Sequence, residues 1–260
     1  MIDIHSHILP QIDDGAQDWD ESLAMIRQGI RDGIEGAICT PHVLNVLDEP
    51  FESKVLFKFQ QLKELIDRHQ LNFKVWLGSE IHCQAIFNSF SKLVTLNGTQ
   101  KYLLMELPMA ELPADAGDKL FKLNLEGITP ILAHPERNSM VIQRLEVAFQ
   151  FIQQGALVQL NAGSLTGDFG RTVRKTAFEM MDHDMVHVVA SDCHNAGSRP
   201  MLLRKSYQTV ANKWGTAKAV QLFITNPQKV VQGEKVELRE PMPPSRKTPF
   251  IKRIFGSQKA

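Results

Sequence analysis

Residues 18–42, DWDESLAMIRQGIRDGIEGAICTPH, contain one complete helix–strand unit and set the pattern for the rest of the chain. Asp18 followed three residues later by Glu21 is typical of a helix start, because the two side chains can cap each other's backbone N–H groups. Gly33 lies where that helix should end, since glycine adopts the left-handed C-cap conformation at little cost. Residues 35–42 then read as a short buried strand. The predicted helix carries an apolar stripe made of Leu23, Ile26, Ile30 and Ile34.

The same unit recurs along the chain. The seven predicted strands lie at 2–7, 35–42, 73–80, 101–108, 128–136, 156–163 and 185–194. Amphipathic stretches that predict further helices lie at 54–69, 117–127, 141–155 and 171–183. Alternation of buried strands with helices is typical of a parallel sheet, and seven units favour a closed or nearly closed α/β barrel. A doubly wound open sheet is the alternative, but no glycine-rich phosphate fingerprint follows the first strand.

The bulk composition argues against several classes of protein. Lysine plus arginine and aspartate plus glutamate each total 29, so the formal net charge is zero, which disfavours a protein built mainly around nucleic acid or an anionic membrane. The N-terminus enters a charged strand without the apolar region of a signal peptide. No apolar run approaches the roughly 20 residues of a membrane span. The 3 cysteines are widely spaced and favour a reducing compartment, so we expect a cytoplasmic protein.

The C-terminal segment differs in composition from the rest. Residues 239–260 are basic and contain several prolines, whereas residues 1–238 carry the strand–helix alternation. We therefore predict one barrel domain over 1–238 followed by a tail over 239–260. A solvated end is the simplest interpretation of this tail, and contact with a membrane surface or a partner is the alternative.

Side chains that bind metals follow most of the predicted strands. In a β/α barrel the carboxyl ends of the strands, with the loops after them, form one face on which active sites are built. The residues that we expect to meet at that face are His5, His7, Asp14, His42, Glu80, Glu106, His134, Asp192 and His194. Imidazole mixed with carboxylate suits Zn, Mn or Fe better than Ca or Mg. Nine ligands are too many for one ion, so the sequence predicts two or three.

These motifs resemble those of a known superfamily. The matching segments are HSH (5–7), DDG (13–15), TPH (40–42), GSE (78–80), MEL (105–107), AHPER (133–137) and SDCH (191–194). Together they resemble the PHP (polymerase and histidinol phosphatase) superfamily. Their order and spacing are similar to those of the bacterial manganese-dependent protein-tyrosine phosphatases of the capsule and exopolysaccharide (CpsB/CapC-like) family. The resemblance covers roughly residues 1–235 and leaves the basic tail unmatched.

The resemblance implies a fold, an activity and a substrate. The fold is a distorted (β/α)7 barrel, and the nine residues named above match the ligands of a centre of three Mn²⁺ ions, with Zn or Fe as alternatives. Arg137 and Arg199 match phosphate-binding arginines. The implied reaction is hydrolysis of phosphotyrosine by a metal-bound hydroxide. The implied substrate is the tyrosine-rich tail of a membrane-linked bacterial tyrosine kinase that controls capsule or exopolysaccharide synthesis.

Three alternative functions use the same residues differently. Cys193 and Arg199 spell C-x5-R, the pattern of cysteine-dependent tyrosine phosphatases, although Asp192 would raise rather than lower the pKa of that thiol. A small-molecule phosphomonoesterase, such as a histidinol phosphatase, could use the same metal ions. A catalytically silent protein that binds and regulates a kinase is the third alternative, and the complete ligand set argues against it.

The other histidines receive structural interpretations. His187 lies five residues before Asp192 on the same strand, so we expect it to point away from the site. His183 and His69 end predicted helices. His82 shares strand parity with Glu80, which leaves open a role in supporting a ligand or contacting substrate.

Overall fold

Parallel strands form the centre of the protein. A computed structural model describes residues 1–87, 91–237 and 240–244. Each of the seven predicted segments contains a strand, and every pairing among the described residues is parallel, which confirms the α/β class. The strands are β1 (Ile2–Ser6), β2 (Gly36–Cys39), β3 (His42–Val43), β4 (Val46–Leu47), β5 (Lys74–Leu77), β6 (Glu80–His82), β7 (Ile86–Phe87), β8 (Tyr102–Glu106), β9 (Thr129–Ala133), β10 (Leu157–Asn161) and β11 (Val188–Ala190).

Helices connect most of these strands. They are α1 (Trp19–Asp32), α2 (Glu49–Arg68), α3 (Ala116–Leu125), α4 (Ser139–Gln143), α5 (Glu146–Gln153), α6 (Ala162–Thr166), α7 (Arg171–Asp182), α8 (Arg204–Trp214), α9 (Thr216–Val220) and α10 (Asn226–Gln232). The start of α1 is confirmed, because the Glu21 N–H donates to Asp18 Oδ1 at 2.9 Å. Its end is confirmed as well, since Gly33 has φ 88° in the left-handed region.

One predicted helix is two helices in the structure. The amphipathic stretch 141–155 divides into α4 and α5, because Arg144 takes an extended conformation with φ −146°. Asn138 starts α4 early by accepting the N–H groups of Met140 and Val141. The apolar period alone did not reveal this break, since both short helices bury apolar residues such as Val141 and Phe151.

The strands divide among three sheets. The order is β1-β2-β5 in the first, β11-β10-β9-β8-β6-β3 in the second, and β4-β7 in a small third sheet. The predicted third strand, 73–80, is broken at Gly78, so that β5 belongs to the first sheet and β6 to the second. A Cβ at Gly78 would lie only 2.8 Å from the buried Leu96 side chain, so any larger residue here would force Leu96 to shift. A single closed barrel stays a prediction, while the parallel α/β arrangement is confirmed.

The carboxyl ends of the first and last strands adjoin each other. The His7 N–H donates to the Cys193 carbonyl at 2.9 Å, and the Asp192 N–H donates to the His5 carbonyl at 3.0 Å. Ser6 and Cys193 form an isolated parallel bridge between these bonds. Two sequence motifs separated by most of the chain therefore meet at one edge.

Two apolar clusters surround the strands. Residues such as Ile4, Ile38, Leu104 and Ile131 pack among the strands, and a larger cluster fills the space between strands and helices. Strands β2 and β10 are buried along their whole length, as expected for parallel strands covered by helices. Within 1–87, 91–237 and 240–244, we find no helix with the length and apolar character that crossing a membrane requires.

The predicted tail begins at the edge of the described residues. The boundary at 238/239 and residues 245–260 lie outside them, so the domain boundary and the membrane-contact alternative stay predictions. Within 240–244, the Met242 N–H donates to the His183 carbonyl at 2.9 Å.

Candidate metal centre

The first strand directs two imidazoles at one point. His5 lies in β1 and His7 just beyond it, and alternation puts both buried rings on the same side, with their Nε2 atoms 3.1 Å apart. The opposite nitrogen of each ring is held in place. His7 Nδ1 lies 2.7 Å from Asp13 Oδ2, and His5 Nδ1 lies 2.9 Å from Gln159 Oε1. A partner on one nitrogen orients the other toward a metal, so both rings fit ligation through Nε2.

The Glu80 carboxylate lies in the middle of the imidazoles. It begins β6, directly after the crossing between sheets, and it is fully buried. Its Oε1 is 3.0 Å from His134 Nε2, and its Oε2 is 3.1 Å from His5 Nε2 and 3.0 Å from His42 Nδ1. Glu106, at the end of β8, lies 3.8 Å from His42 and 3.9 Å from His134. The two oxygens of Glu80 therefore face different histidines, so each oxygen could bind a different ion.

Asp192 joins the imidazoles to both predicted arginines. Its Oδ1 lies 3.4 Å from His5 Nε2. Its Oδ2 lies 3.1 Å from a terminal nitrogen of Arg137 and 2.7 Å from one of Arg199. The chain loops that follow β9 and β11 thus bring the two guanidinium groups to one side of the cluster.

Asp14 lies at the open rim of the cluster. Its side chain is 67% exposed, and its Oδ1 lies 3.3 Å from His194 Nε2 and 3.5 Å from His42 Nε2. The His194 ring packs against His7 with centroids 3.9 Å apart. All nine residues predicted as ligands therefore lie in one connected cluster.

Strained backbone occurs at two residues of this cluster. His134 has φ 33° and Asp192 has φ 54°, both in the left-handed region that residues with a Cβ rarely adopt. Such conformations cost on the order of 1–3 kcal/mol and concentrate at functional sites. His134 directly follows β9, and Asp192 lies two residues beyond the end of β11, so both strained residues lie at the carboxyl ends of strands.

The donor set fits metal ions. Four overlapping groups have ligand atoms within 4.8 Å of one another: His7–Asp14–His42–His194, His5–His134–Asp192, His5–His7–Glu80 and His42–Glu80–Glu106. Four buried atoms in these groups make no hydrogen bond: His42 Nδ1, Glu80 Oε2, Asp192 Oδ1 and His194 Nε2. Buried polar atoms are normally paired, so a cluster of unpaired donor atoms facing each other fits bound cations.

Electrostatics in the cluster favour positive charge. Burial opposes the charged form of His5 and His42, yet the carboxylates that face each ring together outweigh burial and raise the pKa of both. They are Glu80 and Asp192 for His5, and Glu80 and Glu106 for His42. Burial also opposes charge on Glu80, but the facing rings of His5, His134 and His42 together outweigh it and hold the pKa of Glu80 well below its usual range. Burial and the neighbouring His7 lower the pKa of His194 to about 3, which keeps that ring neutral and able to bind a metal.

Three supporting residues were not predicted from the sequence. Asp13 orients His7 and also accepts the His42 N–H at 2.9 Å. Asn161 donates to Asp192 Oδ2 at 2.6 Å and accepts from the Gln159 amide at 2.8 Å. A signal was present, because the sixth strand, which has no metal ligand, carries two polar side chains two residues apart in an apolar run. Such spacing puts both on one face of the strand.

Cys193 lies outside the cluster. The residue is fully buried and packs in the larger apolar cluster. Burial raises the pKa of its thiol well above the usual range, and the charge of Asp3 raises it further. A nucleophilic cysteine needs a thiolate, so the C-x5-R mechanism disagrees with this environment.

The other histidines have partners elsewhere. His187 Nδ1 accepts the Val158 N–H at 3.0 Å, in agreement with the expectation that it points away from the site. His183 Nδ1 lies 2.7 Å from the Glu179 carbonyl at the end of α7. His82 is half-buried, and its Nδ1 accepts the Gln84 N–H at 3.4 Å. His69 is exposed at the end of α2.

Known proteins are similar in sequence to this chain over nearly its full length. The family model for capsular polysaccharide synthesis proteins, CpsB/CapC, matches residues 1–232. The chain belongs to the CpsB/CapC family. The putative tyrosine-protein phosphatase CapC of Staphylococcus aureus is 32% identical over 243 residues, which are 93% of this chain and 95% of that protein. The tyrosine-protein phosphatase YwqE of Bacillus subtilis is 31% identical over 253 residues, which are 96% of this chain and 99% of that protein.

A CpsB/CapC crystal structure also has the same fold. It comes from a study of YwqE of Bacillus subtilis and CpsB of Streptococcus pneumoniae, described as unique metal-dependent tyrosine phosphatases. It superposes with a TM-score of 0.86 at 29% identity and covers 95% of this chain and 100% of its own. The sequence-based assignment to this family is thus confirmed.

Proposed function

We propose that this chain is a metal-dependent protein-tyrosine phosphatase whose reaction takes place at the candidate metal centre. The observation that carries the proposal is the position of Asp192, which lies between the imidazoles and the guanidinium groups of Arg137 and Arg199. Hydrolysis of a phosphate monoester requires a nucleophile and neutralisation of the phosphoryl charge. A cation-binding cluster beside two arginines supports both requirements.

The proposed cofactor is Mn²⁺, with three ions held by His5, His7, Asp14, His42, Glu80, Glu106, His134, Asp192 and His194. When bound, such ions supply a water of lowered pKa and neutralise phosphoryl oxygens. The mixture of imidazole and carboxylate donors supports Mn²⁺, Zn²⁺ or Fe over Ca²⁺. Glu80 and Glu106 would each offer two oxygens to these ions, because in both carboxylates the two oxygens face different histidines.

The two arginines would bind the phosphoryl oxygens that face away from the ions. Arg137 and Arg199 each use one terminal nitrogen on Asp192, and their side chains are 19% and 26% exposed. A planar guanidinium group keeps further N–H donors for a phosphate, with which it pairs bidentately. By this argument Arg199→Ala should weaken substrate binding and charge stabilisation by about 2–4 kcal/mol, as for other preorganised donors.

The substrate and surroundings belong to the same proposal. We propose a phosphotyrosine protein in the cytoplasm, in particular the tyrosine-rich tail of a membrane-linked bacterial kinase. We also propose that the sheets form a distorted (β/α)7 barrel, which is supported by the hydrogen bonds that join His5 to Asp192 and His7 to Cys193.

The test compares the activity of the protein on two substrates, with the metal content of the protein defined. The full-length protein is stripped with a chelator, reloaded with Mn²⁺ or Mg²⁺, and assayed on a phosphotyrosine peptide and on histidinol phosphate. We expect no turnover without metal, restoration that is better with Mn²⁺ than with Mg²⁺, and a preference for the peptide. Preference for histidinol phosphate would support the small-molecule phosphatase, and no turnover with any metal would support the silent regulator.

A further inference from the structure

Two cavities adjoin the metal centre, and their chemistry differs. One cavity, of about 280 Å³, is lined by Arg199, Lys205, Asp168 and Phe169 on the side of the arginines. The other, of about 620 Å³, shares Asp14, His42 and Glu106 with the metal centre. The apolar residues in the remaining wall of this second cavity are Ile12, Val43, Leu44, Val46 and Phe51. We call this cavity the apolar groove.

The apolar groove and the arginines lie at different sides of the same centre. His194 connects them, since its Nδ1 is 3.5 Å from Asp192 Oδ1 and its Nε2 is 3.3 Å from Asp14 Oδ1. Asp192 contacts the arginines, whereas Asp14 lines the groove. A molecule that spans the centre would therefore meet guanidinium groups at one end and apolar side chains at the other.

Two apolar side chains of the groove are exposed to solvent. Leu44 is 56% exposed and Val46 is 49% exposed. Val46 pairs with Ile86 between β4 and β7, and Ile86 is 70% exposed. Single exposed apolar residues need no explanation, but a contiguous group beside a polar site is typical of a binding surface.

We infer that the apolar groove receives the aromatic ring of the phosphotyrosine, with Leu44 and Val46 as residues that determine specificity for aryl phosphates. This inference rests on the proposed function. A phosphotyrosine side chain has a charged phosphoryl end and an apolar ring. The metal centre has arginines on one side, which suit the phosphoryl group, and the apolar groove on another, which suits the ring. An alkyl phosphate offers no ring to the groove, so its binding should depend on the ions and arginines alone.

The test removes apolar surface without touching a candidate ligand. The variants are Leu44→Ser, Val46→Ser and the double variant, all at exposed positions. The matched control is Leu125→Ser, which also changes an exposed leucine, 72% exposed at the end of α3. Manganese-loaded proteins are assayed on two peptides that differ only in phosphotyrosine against phosphoserine, and inhibition by inorganic phosphate is measured.

We expect each groove variant to raise KM for the phosphotyrosine peptide about 5- to 10-fold, in line with losing part of the burial of one apolar side chain. The value of kcat and the inhibition by inorganic phosphate should stay unchanged, and Leu125→Ser should match the wild type. Unchanged KM in the double variant, or an equal rise in the inhibition constant of inorganic phosphate, would overturn the inference.

A binding measurement separates this inference from the proposed function. A peptide with a phosphonomethyl-phenylalanine in place of phosphotyrosine cannot be hydrolysed, and its affinity is measured by calorimetry. If wild type hydrolyses no phosphotyrosine peptide but binds this one, and the groove variants bind it about 5- to 10-fold less tightly, the groove stands and the proposed reaction fails. Equal affinity for wild type and groove variants contradicts the groove whatever the activity.

Discussion

Asp3 and Asp192 are both buried carboxylates at neighbouring strands, yet their surroundings differ. Asp3 accepts hydrogen bonds from the Ser191 N–H, the Ser191 hydroxyl and the His5 N–H. Each of its oxygens therefore has a donor. Asp192 has one oxygen, Oδ1, that makes no hydrogen bond and lies near the His5 ring, while its Oδ2 contacts the Arg199 guanidinium group. The backbone of Asp192 is in the left-handed region.

The pKa directions of the two carboxyls differ in the same way. Burial raises the pKa of Asp3, because its neutral donors compensate only in part. Burial acts on Asp192 too, but His5, His7 and His134 together outweigh it and hold the pKa of Asp192 well below its usual range. Burial alone therefore does not identify a functional carboxylate. Unpaired oxygens aimed at other ionisable groups do, because they retain affinity for a cation.

The largest expected effect comes from Asp192→Asn. The amide keeps the size of the side chain but removes the charge that faces the imidazoles and both arginines. We expect turnover of a phosphotyrosine peptide to fall by at least about a hundredfold, as for loss of a group that fixes the nucleophile and its ions. Elemental analysis should show a lower metal content. Full metal content with full activity would remove Asp192 from the proposed ligand set.

The matched change at the other carboxylate is Asp3→Asn. The amide oxygen can still accept the Ser191 and His5 N–H groups, but the amide nitrogen would replace the oxygen that accepts the Ser191 hydroxyl. That hydroxyl would lose its acceptor, which should lower the free energy of unfolding by about 1–3 kcal/mol. Metal content should stay that of the wild type, and activity per folded molecule should change by less than about fivefold. Urea denaturation and elemental analysis measure both. A loss of metal as large as in Asp192→Asn would erase the distinction between the two residues.

His187 is a buried imidazole outside the metal centre. Burial lowers its pKa to about 4, and the charge of Lys218 acts in the same direction. Above pH 6.5 the ring is neutral in both the folded and unfolded chains, so its stabilising contribution is fully present. As the pH falls from 6.5 toward 4, only the unfolded chain binds the proton, and stability is lost. The loss from this group between pH 7 and 5 should be about 2 kcal/mol.

The variant His187→Asn should remove this pH dependence, because its side-chain oxygen can still accept the Val158 N–H and does not titrate. Urea denaturation of wild type and variant from pH 7 to 5 measures the difference between the two slopes. Parallel slopes would show that the ring titrates normally in the folded chain.

The smallest effect is expected for Cys193→Ser. Burying a hydroxyl in place of the thiol should lower the free energy of unfolding by about 1–2 kcal/mol. Because Cys193 contributes no atom to the metal centre, activity at saturating Mn²⁺ should stay within about threefold of wild type. A loss of more than about a thousandfold with intact metal content, together with a trapped phosphocysteine, would establish the thiol mechanism instead.

Much of the fold and of the candidate site follows from local sequence patterns. The helix start at Asp18 and its end at Gly33 depend on capping chemistry within a few residues, so they were predictable. The nine candidate ligands could be proposed because they lie at or beyond the ends of the predicted strands, and parallel strands end at one face whatever the details of the loops. Asp13 and Gln159 were missed because orienting a ring by hydrogen bonds depends on distances between segments far apart in the chain.

The sequence by itself determined the parallel α/β class and the residues at the carboxyl ends of the predicted strands, since both depend on periodicity and on short-range caps and turns. Only the tertiary structure decided how the strands divide at Gly78, which oxygens of Glu80 and Asp192 remain unpaired, and that Cys193 is buried. The reason is physical. Sheet division, the pairing of buried polar atoms and the exposure of a side chain are each set by groups that approach through space, and spacing along the chain does not record those approaches.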